Sequence, residues 1–307
     1  MDVREWALIA FTILSQMAVG SFIVLGIVYF FVNRKWGEAE ADRFSDRALL
    51  AIGPVLILGT LASLFHLGNP LNAYRAISNI GESWLSREIL TNVLFIGLGA
   101  VFAFMQWRKI GSPALRTAIA AVAAIVGVVL VYSMAQVYML RTAPAWNTLA
   151  TPITFFTTTF LLGALAVGAA YVVNYAMIKR SDPDCAAAQC DILRLALRWL
   201  ALAAVLLVGV HLVVQPLYVA YLSNSGTAAA SEAVDILMGE YSVLFALRLA
   251  LVFVGAAILG AFIYRTASTP GREMVLGNLA ILAFAVVLVA EVMGRFLFYA
   301  MQTNVGL

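Results

Sequence analysis

The residues best suited to chemistry gather around one short polar excursion, ASLFHLGNPLNAYRAISNIGESWLSREIL at 62–90, which leaves one apolar run and enters the next. It holds His66, one of two histidines in the chain, and the adjacent charges Arg87 and Glu88. A histidine can donate, accept or titrate near neutral pH. Oxidising a hydroquinone releases two protons and two electrons. A histidine and a carboxylate at an aqueous edge can hydrogen-bond the ring hydroxyls and take those protons. Neighbours on a helix diverge by about 100°, so Arg87 and Glu88 cannot address one ligand in the same way. One of the two can face a pocket while the other faces solvent or an extramembrane partner. The plainer alternatives are a packed histidine and a glutamate favoured by the positive end of a helix dipole.

More ionisable residues lie inside apolar runs, where they are costly and are functional candidates by default. Glu291, Arg295 and Tyr299 share one helix face at spacings of four, in the order that favours an internal ion pair. Arg248 stands alone in its run and needs an acidic partner, for which Glu88, Glu240 and Glu291 are available. At 1.5 Å per residue these groups fall within roughly 15 Å of the same end of their helices as the excursion. A polar pocket there, with Arg87, Arg248, Glu291, Arg295, Tyr299 and Trp146 in or behind its walls, is the simplest common destination. Packing salt bridges are the alternative. His211 is read as a polar packing residue; a bis-histidine haem with His66 has no other support.

The elements that must position these groups are membrane spans. The chain has 307 residues, 63% hydrophobic and 11% charged, with a mean hydropathy of +0.96. Soluble domains carry about 25% charged residues, so this is an integral membrane protein, and the net charge of +3 gives no case for nucleic acid. Spanning helices need about 20 mainly apolar residues. Stretches near 6–32, 48–67, 86–107, 115–139, 151–178, 193–222, 241–265 and 275–301 qualify, predicting an all-α protein of eight transmembrane helices. The connections are too short for a soluble domain, so 1–307 reads as one membrane domain.

Thirteen of the nineteen Lys and Arg residues follow spans one, three, five and seven. The positive-inside rule makes those loops cytoplasmic and puts both termini, and the excursion, on the periplasmic face. A weak internal echo pairs Asn69-Pro70-Leu71 after His66 with Gln215-Pro216-Leu217 after His211. It suggests two four-helix bundles, 1–150 and 151–307. Trp6, Trp84 and Trp146 near one boundary, with Trp36, Trp107 and Trp199 near the other, read as an interfacial belt. Cys185 and Cys190, with four residues between them and no nearby histidine, read as ordinary thiols. Any electron wire then belongs to another subunit.

HLGNPLNAYRAISNIGESWLSREI (66–89), SPALRT (112–117), the PAWNT…TPITFF region (144–156) and EVMGRFLFYAMQTNVG (291–306) resemble the membrane anchor subunit of the dimethyl sulfoxide reductase family, and the likeness runs over essentially the whole chain. The resemblance implies an eight-helix anchor in the bacterial cytoplasmic (inner) membrane with periplasmic termini. It implies binding of menaquinol and its oxidation to menaquinone, with His66 and Glu88 tied to that site and no haem or metal in this chain. Its implied partners, besides the lipid bilayer, are an iron–sulfur subunit with four 4Fe–4S clusters and a molybdopterin catalytic subunit, with loops near 68–86, 140–150 and 223–240 as docking surface. Reduction of the terminal substrate falls to that separate subunit. Two alternatives stay open: a quinone-reducing anchor of a related dehydrogenase complex, and a secondary transporter.

Overall fold

A computed structural model describes residues 3–65, 79–181, 186–269 and 271–303. These are helical throughout apart from short turns, and among them eight segments are long and apolar enough to cross a membrane. The helices are α1 (Val3–Trp36), α2 (Glu38–Leu64), α3 (Trp84–Arg108), α4 (Pro113–Tyr138), α5 (Ala150–Ser181), α6 (Ala186–Ser223), the short α7 (Ala228–Asp235), α8 (Ser242–Val252), α9 (Leu259–Ala267) and α10 (Glu273–Ala300). α8 and α9 form one span, joined by a π-helical turn at Phe253–Ile258.

Local chemistry sets the reversals. Between α1 and α2 a single residue, Gly37, turns the chain at φ +89, so EAEADRF (38–44) is already helix where a longer polar loop is expected. Glu, Ala and Asp in that stretch are compatible with a first helical turn, where acids also favour the dipole. Ser83 starts α3 by accepting from the Ser86 amide at 3.4 Å. Ser112 does the same for α4 from Leu115, at 3.2 Å, with Pro113 next in line. Both are N-caps that satisfy an orphan amide. Thr227 caps α7 inside the 223–240 connection, accepting from the Ala230 amide at 3.3 Å.

Helix α5 is the central element, packed against α1, α2, α4, α6 and α10. The α1–α5 crossing is made by two glycines. A Cβ on Gly20 would stand 1.8 Å from the Thr159 carbonyl oxygen, and one on Gly163 would stand 2.3 Å from the Gly20 backbone. Membrane helices associate by such close backbone approach, since lipid offers no hydrophobic drive between them.

The two ends of the bundle differ. The basic end gathers charge in pairs: Lys109 bridges Asp42 at 2.7 Å and Asp46 at 2.8 Å, and Arg116 meets Glu38 at 2.6 Å. Gln106 ties these together, donating to both aspartates and accepting from Arg116 at 3.0 Å. Arg194 pairs with Glu273 across α6 and α10, and the Cys190 thiol lies against the same carboxylate at 3.4 Å. At the terminal end, which carries both chain termini, polar groups instead run inward between the helices.

Candidate functional site

Glu88 enters the bundle one turn into α3, and its side chain is 6% exposed. Among the described residues no side chain hydrogen-bonds its carboxyl. The next turn is polar too: Asn92 donates to Thr60 of α2 at 3.1 Å, and Thr91 returns its hydroxyl to the Arg87 carbonyl at 2.7 Å. Arg87 points the other way. It donates to the Ile80 and Gly81 carbonyls at 2.9 and 2.7 Å and lies 4.2 Å over the Trp84 ring, bracing the turn that precedes α3. His66 lies outside the described residues, as does the first copy of the Asn-Pro-Leu echo and Cys185.

Across from α3, the Tyr138 and Tyr299 hydroxyls meet at 2.7 Å, joining the last turn of α4 to α10. The Glu88 carboxyl lies within electrostatic reach of both. Around this pair is an aromatic box. Trp146 stacks on Phe298 with centroids 5.3 Å apart, presents an edge to Tyr138, and donates its indole N–H to the Phe298 carbonyl at 2.8 Å. Tyr218 of α6 donates to the Ala145 carbonyl at 2.8 Å. The 139–149 connection is thus pinned over the ends of α6 and α10. Trp146 is 5% exposed, so it is an interior residue and not a member of the boundary belt, unlike Trp6, Trp107 and Trp199, which are at least half exposed. Its ring is drawn inward because a stacking face and a carbonyl acceptor are both waiting there.

Arg248, Glu291 and Arg295 do come together, lining a cavity of about 50 Å³ with Thr154, Thr158, Gln215 and Tyr218. Glu88, Tyr299 and Trp146 do not line it. The polar groups therefore form two adjoining regions, not the one pocket expected. The cavity is far below the roughly 300 Å³ at which small-molecule pockets begin. It has room for a few waters, at about 10–15 Å³ each.

The charges in this cavity have unexpected partners. Among the described residues Glu291 and Arg295 form no ion pair. Thr158 of α5 donates to Glu291 Oε2 at 2.6 Å, while Arg295 donates to Gln16 of α1 at 2.9 Å and lies 3.8 Å over the Phe155 ring. Each side chain reaches a neighbouring helix instead of its own. Arg248 likewise takes no acid within ion-pair distance. Its Nη2 lies 2.6 Å from His211 Nε2. A guanidinium only donates, so Nε2 is the acceptor and the neutral imidazole carries its proton on Nδ1. Buried Nδ1 of His211, Nε of Arg248 and Arg295, and Oε1 of Glu291 have no partner. Unpaired buried polar atoms are expensive, and the cavity that Arg248, Glu291 and Arg295 line has the volume for bridging waters to them.

His211, Gln16, Thr158 and Tyr138 thus belong to the site, although only His211 drew notice in the sequence. A string of interacting groups runs through it: His211, Arg248, Glu291, Arg295, then Tyr299, Tyr138 and Glu88. By helix rise, Glu88 lies roughly 6 Å, Arg248 roughly 9 Å and Glu291 roughly 14 Å from the terminal ends of their spans. Arg141 takes no part, being exposed on the connection after α4. Among the described residues no group of three or more His, Cys, Asp or Glu side chains gathers that could hold a metal ion.

Comparison with known proteins identifies a family. The family model described as "DMSO reductase anchor subunit (DmsC)" matches residues 1–301. The sequence is similar to the C polypeptide of the anaerobic dimethyl sulfoxide reductase of Escherichia coli (strain K12), 29% identical over 309 residues, covering 99% of this protein and 97% of that one. It is equally similar to the YnfH polypeptide of an anaerobic dimethyl sulfoxide reductase of the same organism, 29% identical over 304 residues and again covering 99% and 97% of the two. A shorter likeness joins it to the C component of the sulfite dehydrogenase of Allochromatium vinosum, 34% identical over 99 residues, 32% of this protein and 30% of the relative. With the match running through all eight spans, the chain belongs to the DMSO reductase anchor subunit family.

Proposed function

We propose that this chain is the quinol-oxidising membrane anchor of a respiratory molybdoenzyme complex. Menaquinol binds at the terminal end of the bundle, against Glu88 and His66. Its ring hydroxyls give up two protons there and its two electrons pass to an iron–sulfur partner docked on the connections around 79–83, 139–149 and 224–241. The partner's 4Fe–4S clusters deliver them to a molybdopterin subunit that reduces the terminal substrate. The terminal end faces the periplasm in this reading, as the loop charges favour. Protons released by quinol then leave on that side, where the reductase also consumes protons.

The observation that carries this reading is the Glu88 carboxyl. It is buried one turn from the end of α3, bonded by no described side chain, and within electrostatic reach of the Tyr138–Tyr299 hydroxyl pair. A buried carboxyl is suited to take a hydroxyl proton from a ring that reaches it. The Arg248–Glu291–Arg295 cavity stands behind it as a fixed, hydrated electrostatic wall, too small to take the ring.

The test is turnover of the intact complex by two routes. Glu88→Gln and His66→Ala should abolish reduction of the terminal acceptor by a menaquinol analogue. Both should leave intact its reduction by a reduced viologen, which feeds electrons to the partner directly. Wild-type quinol-linked rates in both variants would sink the assignment. The partial likeness to a dehydrogenase component favours one second reading, in which the same site reduces quinone. Quinone-dependent oxidation of a substrate by the complex, faster than the reverse reaction, would identify that direction. Membership of an anchor family leaves the transporter reading without an observation of its own.

A further inference from the structure

We propose that the groove between α1, α5 and α6 at the basic end is a binding site for an anionic phospholipid. The groove encloses about 920 Å³. Along α6 it runs from Ile192 to Leu207, and along α1 from Trp36 back to Val24, with Ala164 of α5 on its floor. Fifteen residues of helix rise roughly 22 Å. That is the depth of one leaflet, half of the 40–45 Å bilayer including its headgroup region. The groove starts at the basic end and stops near the midplane, where an acyl tail stops.

Its chemistry is divided as a phospholipid is. Below the rim the lining is apolar apart from the Trp199 indole N–H, with no hydroxyl, amide or carboxylate among its residues. Among the described lining the slot offers a quinone ring one donor, the Trp199 indole N–H, for its two oxygens. At the rim stand Arg34 and Lys35, both exposed, with the Trp36 indole beside them, and Trp199 lies lower, partway along the slot. Neither cation has an acid within ion-pair distance among the described residues. Lys35 sits 4.3 Å over the Trp36 ring. The acids closest in sequence are engaged elsewhere, Glu38 with Arg116 and Glu40 with Gln189. Two cations that no described acid pairs, at headgroup level over an apolar slot one leaflet deep, are complementary to a phosphate diester carrying acyl tails, and a net negative headgroup satisfies both.

The test uses the complex purified in detergent, with retained lipid counted by native mass spectrometry and thermal unfolding followed in nanodiscs. Phosphatidylglycerol, cardiolipin and phosphatidylcholine are the probes. Wild type should retain phosphatidylglycerol or cardiolipin through delipidation in preference to phosphatidylcholine, and should unfold at higher temperature in phosphatidylglycerol discs. Arg34→Gln/Lys35→Gln should weaken retention roughly thirtyfold, at about a fivefold factor per surface cation, and should erase the phosphatidylglycerol-specific rise in Tm. Ala203→Phe, which keeps both cations and fills the slot, should lose the lipid as well. Equal retention of phosphatidylcholine by wild type would overturn the proposal. So would unchanged anionic lipid in the double variant, or release of the bound lipid by a menaquinone analogue at equal concentration.

Discussion

Gly294 and Arg248 compete for one volume: a Cβ on Gly294 would stand 2.2 Å from Arg248 Nε and 2.7 Å from its Cζ. The guanidinium reaches His211 only because α10 presents a bare backbone at that point. Gly294→Ala should destabilise the protein by about 1–3 kcal/mol, the usual range for overpacking. Shortening the other partner should relieve it. In a double-mutant cycle with Arg248→Ala, the pair should cost less than the two single changes added. Denaturant unfolding in detergent micelles measures this, and strict additivity would contradict the contact.

The α1–α5 crossing should be equally intolerant. Gly20→Ala and Gly163→Ala each set a methyl against backbone, which cannot rotate away as a side chain can. Each should lower Tm by several degrees and reduce the amount of assembled protein in the membrane. Gly26→Ala on the same helix is the control, since a Cβ there meets nothing within 4 Å. It should behave as wild type.

Tyr138 and Tyr299 should show the asymmetry of a buried hydrogen bond. Removing the Tyr299 hydroxyl strands that of Tyr138, at about 1–3 kcal/mol, whereas removing both leaves two rings in contact; the Tyr299 hydroxyl has a second partner in Thr12. Tyr299→Phe should be less stable than the double variant, and Tyr138→Phe, which leaves Tyr299 its Thr12 partner, should cost less than Tyr299→Phe. If the pair also orients Glu88, all three variants should slow quinol-linked turnover while sparing viologen-linked turnover. Unequal losses on the two routes distinguish orientation from simple unfolding.

Arg87 and Glu88 should part company in the same assay. Glu88→Gln should eliminate quinol-linked turnover. Arg87→Gln removes two bonds to the Ile80 and Gly81 carbonyls and should act through that turn. It should raise KM or weaken partner docking by about tenfold or less, with kcat largely kept. Equal collapse of kcat in both variants would mean that Arg87 shares the reacting position.

Apolar run length made the eight spans legible, because hydrocarbon thickness leaves little choice of length. Their ends were less so. Gly37 reverses the chain alone, and polar residues on either side stay helical. The site was legible where a charge stands in an apolar run, as at Glu88, Arg248, Glu291 and Arg295. It was not legible where the sequence offers a local partner that the fold declines. Glu291 and Arg295 have ideal spacing for each other, yet Thr158 and Gln16 reach them first. Thr157, Thr158 and Thr159 look alike in the sequence. Thr157 and Thr159 return their hydroxyls to carbonyls four residues back, at 2.8 Å each, and Thr158 alone crosses to α10. Periodicity cannot separate these three. The misplacement of Trp146 has a similar origin, since a tryptophan at a span end suits the interface or a stacking partner equally well.

The π-helical turn at Phe253–Ile258 gives span seven a length it does not need. A π turn holds one residue more than the α-helical turn it replaces, while the helix on either side keeps its facing. Deleting a single residue from that turn should restore plain α-helix there and leave Arg248 directed at His211 and Ile263 in the core. The same deletion between Arg248 and Val252 would instead swing one flank by about 100° relative to the other. Span seven can therefore lose a residue at that turn, and only there, without disturbing the register of the charged site, so natural length differences among homologous proteins should concentrate at that turn.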